Sequence, residues 1–355
     1  MLSLYSLARP LLFCLEAEKA HNLSIWALKN GLLPRISNEF DPILVSEHFG
    51  IRFPNPIGLA AGYDKNAEVI PAISGLGFGF VEAGSITPRA QPGNPRPRIF
   101  RLAKDAAIIN RLGFNNRGLE EAEHSFTAFA EKAVVGANLG ANKDSPDRID
   151  DYVRGMNRLA PLASYITVNI SSPNTPGLRA LQGKAVLDDL LGRLCEARNA
   201  LTEDGVKHFP ILLKIAPDLT DDDKADIAAS VLAMEIEGLI ISNTTITRPA
   251  SLIDTQKVEN GGLSGRPLKK ISLGVLKEMY QATEGKILIV GVGGIETAAD
   301  AYERIRAGSS LIQLYSAMIY HGPYVAAKIA RGLAQLLRED GFESINEAIG
   351  VDTPI

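Results

Sequence analysis

Apolar residues recur along the chain in eight short runs, and each run ends in small or polar residues before a longer segment with helical character. The runs span residues 56–61, 79–84, 134–139, 165–170, 211–215, 238–242, 287–292 and 310–315. Nearly continuous aliphatic and β-branched content is typical of parallel strands that are buried on both faces. Eight strand–helix repeats predict an α/β fold of the (β/α)8 TIM-barrel type more readily than a doubly wound sheet.

The segments between these runs carry helix-forming residues. Residues 221–234 and 297–307 are examples, and Thr220 and Glu296 stand near the expected helix starts. At 355 residues the chain is longer than the usual single domain. Because α/β barrels reach about 250 residues as one domain, we expect one large barrel with insertions and a helical appendage.

Two stripes of apolar residues at helical spacing precede the barrel. They comprise Leu4, Leu7, Leu11 and Leu15, and then His21, Ile25, Leu28 and Leu32 after the charged stretch 16–19. The stripes predict two short amphipathic helices, ended by Gly31 and Pro34. Packing on the chain's own domain and an interfacial membrane face are both open, and the single tryptophan, Trp26, suits either. We divide the chain into a small N-terminal helical extension, residues 1–40, and a barrel domain, residues 41–355.

The balance of charge argues against a nucleic-acid partner. Lys and Arg total 37 against 41 Asp and Glu, so the net charge of −4 gives no attraction to a phosphate backbone. With 46% hydrophobic and 22% charged residues, the composition is that of an ordinary globular protein. The sequence contains no uninterrupted apolar run of about 18 residues and no signal-peptide cleavage pattern. We therefore expect neither a membrane-spanning segment nor a cleaved leader.

The sequence offers no ligand set for a metal. Cys14 and Cys195 are the only two cysteines and belong to no CxxC or Cys/His cluster, so reduced and packed thiols are expected. The five histidines lie far apart and form no HxxxH pair. We expect neither a disulfide nor a metal cofactor.

Amides, hydroxyls and two lysines follow the predicted strand ends, where TIM barrels carry their chemistry. In chain order these positions include Ala61, Gly62, Tyr63, Asp64, Lys65, Asn66, Ser85, Asn138, Asn169, Ser171, Ser172, Asn174, Lys214, Ser242, Asn243, Thr244, Thr245, Tyr315 and Ser316. Asparagine carries a donor and an acceptor in one plane, so several asparagines suit a heterocyclic amide edge. The scarcity of carboxylates and histidines disfavours a glycosidase and a metallohydrolase.

Glycine loops at the same strand ends indicate a phosphate site. Gly293 and Gly294 follow the seventh run, and Ser316 begins the helix after the eighth, where TIM barrels often bind phosphate. A GxGG string alone also fits an ordinary turn, so the indication of a phosphate site comes from its position after the seventh run. The glycine-rich stretch 261–265 could close the same pocket, because glycine lets the backbone approach a phosphate closely.

Lys214 and Ser172 are the candidate reactive groups. Lys214 lies within an apolar run, and a buried lysine is costly unless it meets an anion or an electron-rich ring. A flavin would use such a cation near N1 and O2 of its ring, whereas a Schiff-base aldolase would also need a barrel lysine. The loop 171–181 contains Pro173 and Gly177, which suggest a lid. The Ser172 hydroxyl becomes a useful base only in a dry site.

Eight stretches, some of which contain the residues named above, match the motifs of one enzyme family. They occur in the same order as in that family and are distributed over nearly the whole chain. They are 15–21, 62–66, 87–98 with QPGNPRPR, 110–116, 168–178, 242–245, 261–267 and 291–295. In these stretches the sequence resembles the dihydroorotate dehydrogenases, specifically their quinone-dependent, membrane-associated second class. The departures are Tyr63 where phenylalanine is frequent, Ala67 where glycine is frequent, and Ser85 and Ser242 where threonine also occurs.

The resemblance implies an FMN enzyme that oxidises (S)-dihydroorotate to orotate in de novo pyrimidine (UMP) biosynthesis. It implies that Ser172 removes the proton from C5 of the substrate while C6 gives hydride to N5 of FMN. The implied substrate residues are Lys65, Asn110, Arg111, Leu112, Gly113, Phe114, Asn169, Asn174, Asn243 and Thr244. The implied FMN residues are Ala61, Gly62, Tyr63, Asp64, Lys65, Ser85, Asn138, Asn169, Lys214, Ser242, Gly265, Gly294, Tyr315 and Ser316.

The electron acceptor implied by the resemblance is a membrane quinone, either ubiquinone or menaquinone. The N-terminal helices would form the quinone tunnel, with His21 and Arg101 near its inner end. The implied setting is the cytoplasmic side of a bacterial inner membrane, which a monomer reaches by peripheral association through these helices. Two alternatives stay open: a soluble-class dehydrogenase that uses fumarate or a nicotinamide route, and a noncatalytic barrel that binds a phosphate ligand.

Overall fold

The eight predicted strands close into a parallel barrel in the computed structural model, which describes residues 4–36, 39–129 and 133–355. In chain order the strands are β1 (Ser46–His48), β2 (Ile51–Phe53), β3 (Ile57–Leu59), β4 (Phe80–Ile86), β5 (Ile99–Leu102), β6 (Ala107–Asn110), β7 (Val135–Leu139), β8 (Tyr165–Asn169), β9 (Ile211–Ile215), β10 (Gly238–Ile241), β11 (Gly262–Gly265), β12 (Leu288–Val292) and β13 (Leu311–Leu314). The barrel order is β3-β4-β7-β8-β9-β10-β12-β13, and β13 pairs back to β3. The predicted TIM barrel is confirmed.

Helices follow the barrel strands, as the pattern predicts. The helices of the described residues are α1 (Leu4–Cys14), α2 (Ala17–Lys29), α3 (Ile70–Ser74), α4 (Leu119–Phe129), α5 (Arg148–Leu159), α6 (Lys184–Glu203), α7 (Asp221–Ala233), α8 (Lys269–Ala282), α9 (Ala298–Arg306), α10 (Ser316–His321) and α11 (Val325–Glu339). Thr220 caps α7 as expected, in a reciprocal capping box with Asp223. The cap of α9 is Thr297 rather than Glu296, because Thr297 and Asp300 form the same box.

An aromatic layer fills the barrel at the amino ends of its strands. Phe53, at the end of the β1–β2 hairpin, packs edge-on against Phe80 with 5.4 Å between ring centroids, and Phe80 contacts Tyr165 in the same way. A Cβ on Gly58 would lie 2.3 Å from the Phe80 ring, so only glycine leaves room for it there. Because strand side chains alternate between faces, the residues two positions further along β4 and β8 also point inward, toward the carboxyl ends.

A second sheet, which the apolar pattern did not predict, joins segments inserted at the carboxyl ends of the barrel strands. It has the antiparallel order β11-β6-β5, and Asn110 at the end of β6 pairs with Gly262 of β11. Its strands have four residues each, and the exposure of β5 alternates along the strand. Such short, partly exposed strands carry too little apolar signal to be separated from loops.

Both predicted N-terminal helices are present, but they differ in how much of the apolar stripe is covered. Leu28 of α2 is buried against the barrel, so this stripe packs on the chain's own domain. Leu7 and Leu11 of α1 are 66% and 75% exposed, and Trp26 of α2 is 55% exposed. The segment therefore keeps an uncovered apolar face. Within the described residues, no helix is both long enough and apolar enough to cross a membrane.

The charged stretch at 16–19 begins the second helix rather than lying between the two. The Glu16 carboxylate accepts the backbone N–H groups of Glu18 and Lys19, at 3.0 Å each, and so caps α2. This satisfies amide groups that would otherwise lack partners in the first turn. The second helix therefore begins at Ala17, within the charged stretch, and not after it.

The two cysteines are free, but they are not equally packed. Cys195 is partly buried, whereas Cys14 is exposed at the end of α1, so the expectation of a packed thiol is wrong for Cys14. Its Sγ donates to the carbonyl of Pro10 one helical turn earlier, at 3.3 Å. The division between residues 1–40 and 41–355 stays a prediction, and residues 1–3, 37 and 38 lie outside the described ranges.

Candidate active site

A cavity lies at the carboxyl ends of the barrel strands, bordered by residues of β6 and β11 in the second sheet. The predicted site residues that line it are Ala61, Gly62, Lys65, Ser85, Asn110, Leu112, Gly113, Phe114, Asn169, Ser172, Asn174, Lys214, Ser242, Asn243, Thr244, Gly265, Gly294, Tyr315 and Ser316. Parallel strands bring their carboxyl ends to one edge, which is why residues so distant in sequence meet here. The expected convergence of amides, hydroxyls and lysines at this end is confirmed.

Asparagine side chains form a connected network around the cavity. The Nδ2 of Asn169 donates to Ser85 Oγ at 2.9 Å, and the Nδ2 of Asn243 donates to Asn169 Oδ1 at 3.2 Å. The Ser85 hydroxyl donates to Asn138 Oδ1, behind the cavity wall. Nearer the second sheet, Asn174 Nδ2 donates to Asn110 Oδ1 at 3.2 Å. Because each amide already has a partner, its donor and acceptor directions are fixed before a ligand enters.

The acceptor beneath this network is Glu82 of β4, which sequence reasoning did not single out. Its side chain is fully buried. It accepts from Asn138 Nδ2 at 2.7 Å, Gln313 Nε2 at 2.8 Å and Thr167 Oγ1 at 3.1 Å. The available signal was a carboxylate inside the apolar run 79–84, two residues after Phe80 and therefore on the same inward face. A buried carboxylate needs such partners to offset its desolvation.

Lys214 of β9 lines the cavity and also has an anionic partner inside the barrel. Its Nζ lies 3.6 Å from Oε1 of Glu82, and the two side chains are 6% and 0% exposed. The argument that this lysine needs a ligand to balance its charge is therefore incomplete, because Glu82 already supplies a negative charge. Lys214 still provides the cavity wall with a positive charge in a fixed position, where little water screens it.

Ser172 stands in the loop after β8, with 6% of the residue exposed. Its Oγ accepts the backbone N–H of Asn174 at 3.3 Å. Arg179 ties this loop to the loop after β10: its Nε donates to the carbonyl of Ser171 and its Nη2 to that of Thr244, both at 3.0 Å. The predicted lid is thus held by side-chain hydrogen bonds in the conformation described.

Lys65 connects the cavity to the N-terminal helices. Its Nζ lies 3.3 Å from Nε2 of His21, the residue predicted on the quinone side. Burial lowers the pKa of Lys65 to about 8, against the opposing charge of Glu18. Burial, with the Lys65 charge, lowers the pKa of His21 well below its usual range, so the imidazole is neutral at pH 7. The His21 ring packs edge-on against Tyr63, which packs in the same way against Tyr315 of the cavity wall.

The sequence and the fold are both similar to those of known proteins. The family model for dihydroorotate dehydrogenase matches residues 43–337. The chain belongs to the dihydroorotate dehydrogenase family. Proteins named dihydroorotate dehydrogenase (quinone) from Erythrobacter litoralis and Rhodospirillum rubrum are 55% and 52% identical to it, each over 98% of this chain and over 99% and 94% of their own lengths. The resemblance and the predicted enzyme class, an oxidoreductase, are confirmed.

Solved structures agree with this dihydroorotate dehydrogenase assignment. A crystal structure of DHODH from Eimeria tenella in complex with ferulenol is similar to this chain with a TM-score of 0.91 and 44% sequence identity. The match covers 94% of this chain and 95% of that one. A ligand-free DHODH structure from the same organism gives the same TM-score at 43% identity, over 95% of this chain and 99% of that one.

Some residues predicted from the dihydroorotate dehydrogenase resemblance have side chains outside the cavity lining. The Asp64 carboxylate accepts the backbone N–H groups of Glu68 and Val69 at 2.8 Å each, so it shapes the loop after β3. Arg111 forms an ion pair with Glu259 at 2.8 Å. Asn138 lies behind Ser85, and Tyr63 packs between His21 and Tyr315. Ligand contacts by these four residues stay predictions.

Arg101, predicted near the quinone, binds the end of α1 in this member of the dihydroorotate dehydrogenase family. Its Nη1 donates to the carbonyl of Leu12 at 3.1 Å and its Nη2 to that of Phe13 at 3.2 Å and to that of Leu15. The guanidinium carbon also lies 4.7 Å from the centroid of the Phe13 ring. A cation at the carboxyl end of a helix complements its dipole, so Arg101 anchors α1 to the second sheet.

Proposed function

We propose that this chain oxidises (S)-dihydroorotate to orotate, with FMN as prosthetic group and a membrane quinone, ubiquinone or menaquinone, as electron acceptor. The reaction would serve de novo pyrimidine (UMP) biosynthesis. The observation that carries the proposal is that Ser172, Lys65 and the asparagine network line one cavity in a member of this family. The name shared by the relatives supports the quinone as acceptor.

The cavity fits a flavin that carries a phosphate. At one side Gly293 and Gly294 have φ angles of 115° and 70°, and a Cβ on Gly294 would lie 2.6 Å from Cβ of Lys269. The loop therefore stays bare, and its amides together with the start of α10 at Ser316 offer N–H donors to an anion. At the other side, the Lys214 cation and the amide network suit the polar edge of a flavin ring.

The residues that would hold FMN are those already named for it. They are Ala61, Gly62, Ser85, Asn138, Asn169, Lys214, Ser242, Gly265, Gly294, Tyr315 and Ser316 in the wall or directly behind it, with Tyr63, Asp64 and Lys65 in the adjoining loop. When bound, FMN supplies a two-electron acceptor for the hydride that leaves C6 of the substrate. The chain's own residues would bind and orient the substrate and move its proton.

Ser172 would take the proton from C5 of the substrate. A hydroxyl is a weak base in water, but this one is nearly buried, so bulk water competes little for its lone pairs. The N–H of Asn174 donates to Oγ and fixes the oxygen. As Oγ takes the C5 proton, its own hydroxyl proton would pass to a water molecule and on to solvent, so Ser172 stays a neutral hydroxyl. The substrate ring is oriented by amide donors and acceptors of Asn110, Asn169 and Asn243.

Lys65 would bind the carboxylate of the substrate and product, and this predicts a pH dependence. With a pKa of about 8, Lys65 is a cation below that pH and becomes neutral as the pH rises through it. We expect the affinity for orotate to be highest below pH 8 and to fall above it, by up to about tenfold per pH unit. The dissociation constant of orotate, measured from the flavin difference spectrum across pH, checks this.

The control for this pH dependence is Lys65→Gln. It should bind orotate more weakly at low pH, and its affinity should not change as the pH passes 8, because the titrating cation is gone. If Lys65→Gln keeps the slope of the unsubstituted protein, another group causes the titration and the role of Lys65 is wrong.

The acceptor is tested by comparing a ubiquinone analogue with fumarate. Dihydroorotate oxidation by the full-length chain should be faster with the quinone analogue, as the relatives' name suggests. Equal or faster turnover with fumarate would instead assign the chain to the soluble class. A protein that neither binds FMN nor gains activity when FMN is added would support the noncatalytic alternative.

We further propose that the chain acts as a monomer at the cytoplasmic side of a bacterial inner membrane, held there by the uncovered face of α1 and α2. The supporting observation is the exposure of Leu7, Leu11 and Trp26 on this segment. Net charge gives no polybasic anchor, so apolar burial would provide most of the binding free energy.

Replacing two of these leucines should weaken membrane binding without unfolding the barrel. Because Leu7 and Leu11 contribute burial only when a membrane covers them, Leu7→Ser/Leu11→Ser should lower vesicle affinity by about tenfold or more. Co-sedimentation with phospholipid vesicles measures this, and Val186→Ser on α6 is the control for loss of an exposed apolar side chain elsewhere. Equal binding of all three proteins would refute the anchor.

A further inference from the structure

A buried ion pair docks α2 on the rest of the molecule. Glu18 and Arg98 are each 5% exposed, and the guanidinium binds both carboxylate oxygens, with Nη2 to Oε1 at 2.6 Å and Nε to Oε2 at 3.0 Å. Arg96 adds a contact at 3.0 Å, but its side chain is 67% exposed. Burial alone would raise the pKa of Glu18, yet the hydrogen bonds from Arg98 and Arg96 outweigh it and lower the pKa. The pair is therefore ionised and bidentate.

The same guanidinium holds the loop in which Arg98 lies. Its Nη1 donates to the carbonyl of Pro92 at 2.6 Å and to that of Asn94 at 2.9 Å. Arg98 thus uses three of its nitrogen atoms on two different parts of the chain, the helix α2 and the loop 92–98. A planar, rigid donor set of this kind fixes the position of one part relative to the other.

The loop 92–98 in turn holds the part of the site that carries the base. The Nδ2 of Asn94 donates to the backbone carbonyl of Asn174 at 3.0 Å and to that of Arg111 at 3.1 Å. Asn174 is the residue whose N–H donates to Ser172 Oγ and whose side chain donates to Asn110. A continuous series of hydrogen bonds therefore leads from the N-terminal helix to the loop of Ser172.

We propose that the Glu18–Arg98 pair couples the docking of α2 to the positioning of Asn174 and Ser172, so that the N-terminal segment sets the affinity of the site for its anionic pyrimidine substrate. The inference rests on the proposed function. Glu18 and Arg98 are positioning residues, since they act through Asn94 and do not line the cavity. Without Glu18, the buried guanidinium loses its counter-charge and turns toward water, which releases the carbonyls of the loop 92–98.

Coupling of this kind is reciprocal. If a docked α2 strengthens the binding of orotate, then orotate must stabilise the docked α2 by the same factor. The unsubstituted protein therefore allows a test of its own: hydrogen exchange of the amides of α2 should slow when orotate is added. This measurement needs no variant, so it holds even if a substitution prevents folding.

The variant test uses full-length, FMN-loaded protein carrying Glu18→Gln. We expect the dissociation constant of orotate and the KM for dihydroorotate with a soluble dye acceptor to rise, both on the order of tenfold. The kcat should fall as well, but by less than the KM rises, because Ser172 is retained and only its positioning through Asn174 is loosened. Arg98→Lys keeps the charge but loses the fork and should show a similar rise, whereas Glu18→Asp should restore part of the affinity.

Two controls separate coupling from general damage. Glu16→Gln removes the charge and one of the two acceptor oxygens from the cap of the same helix without touching Arg98, and Arg96→Gln removes only the exposed contact with Glu18. Both should keep orotate binding within about twofold of the unsubstituted value, as expected for exposed ion pairs and caps. The proposal is supported if orotate slows hydrogen exchange in α2 and if orotate binding weakens only when the buried Glu18–Arg98 pair is broken.

Three results would overturn it: unchanged orotate affinity in Glu18→Gln, an equal loss in Glu16→Gln, or no effect of orotate on exchange in α2. Each is distinct from failure of the proposed function, which would appear as an absence of dihydroorotate oxidation in the unsubstituted protein. If that protein turns over normally while Glu18→Gln binds orotate normally, only the coupling is wrong.

Discussion

Ser172→Ala is expected to slow the dihydroorotate-dependent bleaching of the flavin absorbance by about 10²–10⁴-fold, the usual contribution of a positioned general base. FMN should stay bound, because Ser172 lies in the loop after β8 on the proposed substrate side of the cavity. The glycines proposed to bind the phosphate, Gly293 and Gly294, lie in a different loop, after β12. Stopped-flow mixing of the oxidised holoprotein with dihydroorotate, without any acceptor, isolates this step from quinone reduction.

The neighbouring hydroxyl provides the control for the base. Ser171 is buried like Ser172, but its Oγ donates to Asn169 Oδ1 at 2.9 Å and accepts from Asn243. Ser171→Ala should therefore weaken substrate binding more than it slows the single-turnover rate. Near-normal bleaching in Ser172→Ala would mean that another group takes the proton, and an equal loss in both variants would mean that the loop, not the hydroxyl, is responsible.

Glu82→Ala should reduce the free energy of unfolding by about 3–5 kcal/mol, because it leaves the buried Lys214 cation and several donors without their acceptor. It should also weaken FMN binding, since the amide of Asn138 and the lysine lose their fixed positions. Denaturant-induced unfolding of the holoprotein and fluorescence titration of FMN measure the two effects.

A double-mutant cycle identifies the cause of this loss. If the charges of Glu82 and Lys214 interact as the 3.6 Å separation indicates, Glu82→Ala/Lys214→Met should be more stable than Glu82→Ala alone. Unfolding free energies that simply add in the double variant would show that the two residues act independently. Glu82→Gln keeps the side-chain volume and separates loss of charge from loss of packing.

The fold could be predicted because barrel strands carry a strong local signal. Strands buried on both faces, such as Ile211–Ile215, have almost uninterrupted aliphatic character, and eight of them with intervening helices leave few topologies. The second sheet was not predicted because its strands are short and join segments far apart in sequence, as in the pairing of Asn110 with Gly262. Only long-range pairing reveals that kind of element.

The site could be predicted as far as strand ends and motifs extend. Ser172, Lys65 and Lys214 were placed correctly at the cavity because the end of a barrel strand specifies where its residues must lie. Glu82 was missed because its partners, including Lys214, come from four other strands, and nothing in its own run shows them. Asp64 shows that a position near a strand end is not sufficient. It is next to Lys65 in sequence, but its carboxylate binds backbone N–H groups of its own loop and does not line the cavity.

The proposed function requires this cavity to pass two electrons from dihydroorotate to a quinone through FMN. The most direct test is an anaerobic titration of the full-length, FMN-loaded protein, followed by its visible absorbance. We expect dihydroorotate to bleach the flavin band and a ubiquinone analogue added afterwards to restore it. A flavin band that dihydroorotate leaves unchanged would show that the protein does not oxidise this substrate, and a band that stays bleached after the quinone analogue is added would show that quinone is not the acceptor.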